Sequence, residues 1–307
     1  MTTPETKNAP RWLWPHDWSY RARRRIVDHM DGVTGDGSVS ATLNYLRPGS
    51  RRNRLYVAPG GHLTTTEYAP TTVTITDGRP HVGDFGLDRS GFTLLRHTSA
   101  VDDFGDPAKL DGTYAAEAGE LVQQALGADE VVTLGWVIRR ANQALDGAQP
   151  PASDVHVDMH PGRAHDRMTT ASPRAEPYQR AVMTSLWRAF SLPPQDWPLA
   201  LLDYRSVDDA EGEPNLLLFV DKLPDPDDVP DIEDPDSMPA GSIFAPRPRH
   251  RWWFFPDLTA DEALLFKLHD SDHSVAWRCP HTAFEAPYAA AANPRESVEL
   301  RTIAFFY

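Results

Sequence analysis

Proline limits the folding of this chain more than any other feature. It accounts for 28 of 307 residues, about twice the usual share of roughly 5%. Each proline fixes φ and removes a backbone donor, so it belongs at turns, edges and helix starts rather than inside central elements. A chain interrupted this often builds short elements joined by many loops. Between the interruptions lie short apolar or β-branched runs: Ala41 to Leu46, Asn53 to Val57, Thr71 to Thr76, Glu130 to Arg139, Gln179 to Phe190, Leu199 to Tyr204, Asn215 to Val220 and Arg251 to Phe255. These predict strands, as do Ser274 to Phe284 and Ser297 to Phe306 at the C-terminal end. Asp77-Gly78 is a turn signal.

Helical patterns are few. Ala118, Leu121, Val122 and Leu126 predict a helix over Tyr114 to Leu126, stopped by Gly127. Thr259-x-x-Glu262 has the form of a capping box and predicts a second helix over Ala260 to Lys267. No internal repeat is visible, which sets aside solenoids and propellers. Neither GxGxxG nor GxxxxGK[ST] occurs. The expected fold is mainly β, a jelly roll or closed barrel with flanking helices and long loops, rather than a βαβ fold.

Residues 1–40 are expected to form an N-terminal extension packed on or near the core, and residues 41–307 a single domain. Within that domain residues 221–239 form an acidic, proline-rich loop or flap, since Pro224 to Pro239 holds five prolines and seven acids. Arg21, Arg23, Arg24 and Arg25 read as a solvated segment facing the protein's own acidic surface.

Lys and Arg number 30 against 44 Asp and Glu, a formal charge of −14. Nucleic acids and anionic membranes require a basic footprint, so the expected partner is a small molecule. A single cysteine, Cys279, forms no intramolecular disulfide. The N-terminus shows no apolar leader, and the longest apolar runs, such as Leu216 to Val220, fall well short of the roughly 18 residues of a membrane helix. A cytoplasmic protein with no membrane partner is expected. Nothing in the sequence specifies an oligomeric state.

Twelve histidines are present. His156-Val157-Asp158 places two metal-ligating groups at i and i+2, on one face of a strand. His281, in Cys279-Pro280-His281-Thr282, lies on a later predicted strand and supplies a third. Two imidazoles and a carboxylate make the facial triad of non-haem Fe(II) oxygenases, with open positions for substrate-derived ligands and O2. Arg295-Glu296-Ser297 follows fourteen residues after His281. Its guanidinium and hydroxyl share a strand face and suit a carboxylate, so the whole order fits a keto acid that chelates iron at one end and is clamped at the other.

Other residues compete. Arg301, on the same last strand, is an alternative anchor. His160 and His165 read as loop or supporting residues beside the HxD, and His29-Met30-Asp31 as a chance second HxD outside the strand-rich region. His269-Asp270-Ser271-Asp272-His273 follows the second predicted helix and reads as a solvated turn. Cys279 suits a structural thiol better than a nucleophile.

The segments Trp187-Arg188, Pro198 to Val207, His250 to Pro256 with Glu262, and His281 to Phe284 continuing through Pro294 to Arg301 resemble the hydroxylase/desaturase family of natural-product tailoring proteins. That family includes the cephalosporin 7-alpha-methoxylase component and the fungal gibberellin desaturases. The resemblance runs from about Asn44 to the C-terminus and is strongest after His156. Leu186 to Phe190 departs from it, lacking the proline the family tends to carry after its Trp-Arg.

The resemblance implies a double-stranded β-helix (cupin-like) core and Fe(II)/2-oxoglutarate-type oxidative chemistry. The expectation is therefore an Fe(II)- and 2-oxoglutarate-dependent dioxygenase that uses O2 to hydroxylate, desaturate or cyclise a small metabolite. In it His156, Asp158 and His281 hold iron, Arg295 pairs with the distal carboxylate of 2-oxoglutarate, and Ser297 adds a hydrogen bond. Two alternatives stay open: an iron oxygenase without 2-oxoglutarate, its RxS pair clamping the substrate's own carboxylate, and a non-catalytic partner or small-molecule binding protein on the same fold.

Overall fold

The computed structural model describes residues 30–307 apart from 60, 143–148, 233, 235 and 236. Arg21, Arg23, Arg24, Arg25 and His29 lie outside the described residues. The N-terminal half contributes β1 (Val39–Leu46), β2 (Arg54–Ala58), β3 (Gly61–Thr64), β4 (Tyr68–Asp77), β5 (Phe92–Arg96), β6 (Glu130–Arg140) and β7 (His156–Val157). There follow β8 (Arg180–Ala189), β9 (Leu199–Leu202), β10 (Glu213–Phe219), β11 (Ala240–Ile243) and β12 (Trp252–Phe254). The chain ends with β13 (Glu262–Asp270), β14 (His281–Ala283) and β15 (Glu296–Phe306).

One sheet runs β1-β4-β12-β9-β14-β7-β11-β10-β2-β3 and the other β5-β13-β8-β15-β6. From β6 to β9, and again from β12 to β15, consecutive strands alternate between the two sheets. The two sets β12-β9-β14-β7 and β13-β8-β15-β6, antiparallel throughout, are the halves of a double-stranded β-helix. This is the jelly roll that the short strands predicted.

Strand alternation divides the apolar residues between two cores. On β15, Ile303 and Phe305 join the core between the sheets, while Val298 and Leu300 face outward with Leu121 and Val122 of the helix Ala115–Leu126. That helix ends where expected, at Gly127, whose φ of +68° lies in the left-handed region that glycine adopts at little cost. Trp187 and Arg188 obey the same period. Trp187 faces the inner core, and the buried Arg188 turns outward to the carbonyls of His97 and Ala260.

The second predicted helix is absent, and its residues form β13. Glu262 does reach back to the Thr259 N–H (3.2 Å), but its own N–H meets the Thr259 backbone carbonyl (3.0 Å) and the chain leaves that turn extended. Packing decided the outcome: Ala263 and Leu265 fill the outer core while Leu264 and Phe266 fill the inner one, which only a strand buried on both faces achieves. Ser274 to Phe284 keeps only β14 as strand, because Pro280 breaks the ladder just before it. His269 and Asp270 are likewise no solvated turn; they are the buried end of β13, with Asp270 held by Arg180 and Lys267 at 2.6 Å each.

The acidic stretch 221–239 leaves from β10 and returns into β11, and those two strands pair antiparallel from Glu213↔Ile243 to Leu216↔Ala240. Met30 and Val33, ahead of β1, pack against the inner core.

Candidate metal centre

β7 is only two residues long and is paired on both sides. His156 pairs with His281 of β14 on one side and with Ile243 of β11 on the other. Val157 anchors the segment in the core, and Asp158 follows before His160 and Pro161 open the helix Pro161–Ala171. β14 lies between β7 and β9, so His281 stands directly beside His156, their ring centroids 4.5 Å apart.

Each imidazole is fixed by its own chain. His156 Nδ1 donates to the Asp154 carbonyl at 2.8 Å and His281 Nδ1 to the Cys279 carbonyl at 3.0 Å. A neutral imidazole whose Nδ1 carries the proton presents a lone pair at Nε2. The two Nε2 atoms lie 3.8 and 3.9 Å from opposite oxygens of Asp158. One ligand atom from each of the three residues falls within 4.8 Å of the others. Burial, reinforced by the neighbouring His156, lowers the His281 pKa to about 3. Burial alone would raise the Asp158 carboxyl, but the Arg301 guanidinium, with the two histidines, holds it well below the usual carboxylate range. A neutral His281 and an ionised Asp158 are the protonation states that metal binding requires of them.

A narrow cavity opens beside the histidines, lined by His156, His281, Trp187, Phe266, Arg139 and Arg295. Arg295 is fully buried at the start of β15. Its N–H meets Asp196 (2.7 Å), its Nη1 donates to the Trp197 carbonyl (2.9 Å), and its guanidinium stands 5.7 Å from the Trp187 ring centre. Burial, with Arg139 nearby, lowers its pKa to about 9, so it still carries its charge at neutral pH.

Three buried polar atoms here have no hydrogen-bond partner among the described residues: Asp158 Oδ2, Arg295 Nε and Ser297 Oγ. Buried groups left in this way cost stability unless a ligand satisfies them. A cation at Asp158 and a carboxylate at Arg295 and Ser297 would do so, and the donor set of two nitrogens and one oxygen fits Fe(II).

Of the five sequence-expected site residues, His156, Asp158 and His281 thus come together, Arg295 lines the cavity beside the two histidines, and Ser297 is buried two residues further along, in β15. Arg301 does not face the arginine end of the cavity; it donates to Asp158 Oδ1 (2.9 Å) and to Glu299 (2.8 Å). His160 accepts from the Gly162 N–H and caps the helix, and His165 is exposed on it. Cys279 is fully buried and burial raises its thiol pKa, which suits the structural thiol expected. Sequence reasoning missed Glu299 and Arg139, both at the cavity wall. A signal for Glu299 existed: Arg295, Ser297, Glu299 and Arg301 share one face of a period-two strand.

The chain matches the family model described as oxidoreductase/YMDC permease-like domain over residues 43–305. It is 28% identical over 304 residues to the hydroxylase/desaturase efuI of Hormonema carpetanum, covering 90% of this chain and 98% of that one. It is 27% identical over 263 residues to the Fe(II)/2-oxoglutarate-dependent dioxygenase nvfI of Aspergillus novofumigatus (strain IBT 16806), covering 82% of this chain and 89% of the relative. The solved structure of the iron and alpha-ketoglutarate-dependent endoperoxidase NvfI superposes with a TM-score of 0.72 at 25% identity, over 88% of this chain and 98% of that one. The chain belongs to the oxidoreductase/YMDC permease-like domain family and, with these relatives, is a non-haem Fe(II)- and 2-oxoglutarate-dependent oxygenase of small molecules.

Proposed function

We propose that His156, Asp158 and His281 hold the Fe(II), that Arg295 pairs with the distal carboxylate of 2-oxoglutarate and that Ser297 donates to the same carboxylate. The observation that carries this reading is the pair of Nε2 atoms facing the two oxygens of Asp158, with both Nδ1 atoms committed to carbonyls, beside a cavity that ends on a buried arginine. Fe(II) bound with 2-oxoglutarate and O2 supplies the oxidising chemistry that removes hydrogen from a substrate.

The chain's own residues bind, orient and exclude water. The backbone bonds to the two Nδ1 atoms fix the imidazole planes before any metal arrives. The Trp197 carbonyl and the Trp187 ring hold the Arg295 guanidinium in place, so little ordering remains when a carboxylate binds. Phe266, with its ring centre 4.5 Å from that of His281, and Trp187 keep that wall dry. A small-molecule substrate, no nucleic-acid or membrane partner and a cytoplasmic setting complete the proposal. It is supported by the charge of −14, by the lone buried Cys279, and by the lack, among the described residues, of any helix long and apolar enough to cross a membrane.

The test is anaerobic titration of the Fe(II) protein with 2-oxoglutarate, following the visible metal-to-ligand charge-transfer band. Wild type should show the band and release succinate on exposure to O2 and substrate. Asp158→Ala should lose tight Fe(II) binding. Removing one partner of a buried charge pair costs about 2 to 5 kcal/mol, so Arg295→Ala should need roughly 30-fold more 2-oxoglutarate or beyond while still binding iron. Absence of the band in wild type at millimolar 2-oxoglutarate rejects the cosubstrate assignment.

A further inference from the structure

We infer that Arg301 and Glu299 form a positioning clamp on the metal-binding carboxylate: Glu299 holds Arg301, and Arg301 occupies one oxygen of Asp158 so that only the other is offered to the metal. This rests on the metal triad proposed above. Arg301 Nη2 donates to Asp158 Oδ1 at 2.9 Å, whereas Asp158 Oδ2 is buried without a hydrogen-bond partner among the described residues. The two carboxylate oxygens are therefore inequivalent before a metal binds. Arg301 Nε donates to Glu299 Oε1 at 2.8 Å, and Glu299 Oε2 faces Arg139 Nε at 3.8 Å. Asp158, Arg301, Glu299 and Arg139 thus alternate in charge along one wall, and three of the four come from the paired strands β15 and β6, with Arg139 opposite Ser297 in the register.

The chemistry of the clamp follows from geometry. A carboxylate with both oxygens available can chelate one ion through the pair and consume two coordination positions, whereas an oxygen already accepting a charge-assisted hydrogen bond is a poor second ligand. Holding Asp158 to one oxygen keeps a position open for 2-oxoglutarate, which needs two. The guanidinium is itself tied at Nε, and its fork geometry lets it serve Glu299 and Asp158 together, which a lysine ammonium on its flexible stem does poorly. The clamp also separates the arginines by role. Arg301 is committed to Asp158, Arg139 faces Glu299, and Arg295, whose Nε has no partner among the described residues, remains for the cosubstrate.

The test uses Co(II), with its visible absorption as a reporter of coordination, alongside Fe(II) and 2-oxoglutarate titrations of the full chain. Outer partners of metal ligands typically contribute about 10- to 100-fold in affinity, so Arg301→Gln should weaken Co(II) and Fe(II) binding about 10-fold or more. Arg301→Gln should also change the energy and intensity of the Co(II) bands as Asp158 is released to chelate through both oxygens. Glu299→Gln should give a smaller loss of the same kind, about 3-fold, and the double variant should be no worse than Arg301→Gln alone, because Glu299 acts through Arg301. Arg301→Lys should recover part of the affinity but not the wild-type spectrum.

Unchanged Co(II) bands in Arg301→Gln, or an effect of Glu299→Gln that persists in full without Arg301, overturns the clamp. A selective loss of 2-oxoglutarate binding in Arg301→Gln, with metal binding intact, also overturns it and makes Arg301 the cosubstrate anchor. If wild type binds no Fe(II) or Co(II), the triad itself is wrong, which the metal-binding arm separates from failure of the clamp alone.

Discussion

A buried histidine outside the metal centre sets part of the protein's acid sensitivity. His269 is 6% exposed at the end of β13, with rings of His273 and Trp277 around it at 5.3 and 5.5 Å. Burial, with His273 nearby, lowers its pKa to about 4 from the usual 6.5. Above pH 6.5 folded and unfolded chains are both neutral there; between 6.5 and 4 the unfolded chain takes up the proton and the folded one does not. Stability is therefore fully present above pH 6.5 and is lost as pH falls towards 4, by about 3 kcal/mol at about 1.4 kcal/mol per unit. Urea unfolding at pH 7 and pH 4.5 should show this loss in wild type and a smaller one in His269→Gln. Equal losses in the two proteins would place the acid sensitivity elsewhere. At this scale the sequence was readable where a residue's role depends on type and spacing: His156, Asp158 and His281 stand together, and Arg295 lines the same cavity as the two histidines. It was not readable where the role depends on a partner across the barrel. Arg301 had to be seen opposite Asp158, which no spacing between residues 158 and 301 encodes.

Among the elements, β7 is closely fitted. Gly241 of β11 lies against it, and a Cβ at that position would stand 2.8 Å from the Val157 backbone carbonyl. Backbone cannot move aside there without shifting the HxD. Gly241→Ala should cost about 1 to 3 kcal/mol by overpacking. It should also lower Fe(II) affinity, because the added Cβ would lie against the Asp158 backbone as well, at 3.7 Å. Isothermal titration with Fe(II), paired with thermal unfolding, checks both, and a variant that loses stability but keeps full affinity would uncouple β11 from the centre. At the start of β13, Arg79 and Glu262 make a two-pronged ion pair, at 2.8 and 2.9 Å, with side chains 9% and 4% exposed. Glu262→Ala leaves a buried guanidinium without its counter-charge and should cost about 3 to 5 kcal/mol, while adding Arg79→Ala should cost little more. The same glutamate explains why a helix was expected. Thr259-x-x-Glu262 is a valid local signal, and Glu262 does answer the Thr259 N–H, but an alternation that fed two cores at once outweighed it.

For the whole molecule we propose a single oxygenase domain over residues 41–307, with the acidic stretch 221–239 as a surface excursion. Candidate ligands lie on both sides of that stretch, and the strands flanking it pair with each other. Protease should nick within 221–239 first and leave the fragments associated on gel filtration at neutral pH; two separating, independently folded pieces would reject the proposal. The jelly roll itself was legible in the sequence because prolines and β-branched runs mark a chain of many short strands, ten expected where fifteen form among the described residues, whereas the order of strands in each sheet was not, since it depends on which edges remain when later strands arrive. That order has a consequence for synthesis. β14 fills the gap between β7 and β9, and β15 the gap between β6 and β8, so the last two strands go into the middle of sheets whose other members emerge earlier. A chain still on the ribosome holds both slots open and carries the proposed ligands His156 and Asp158 without His281, the third. Long-range closure of this kind makes folding slow and leaves edges exposed meanwhile. It also means that an incomplete chain is unarmed: oxidising chemistry is withheld until the C-terminal strand has locked the barrel shut.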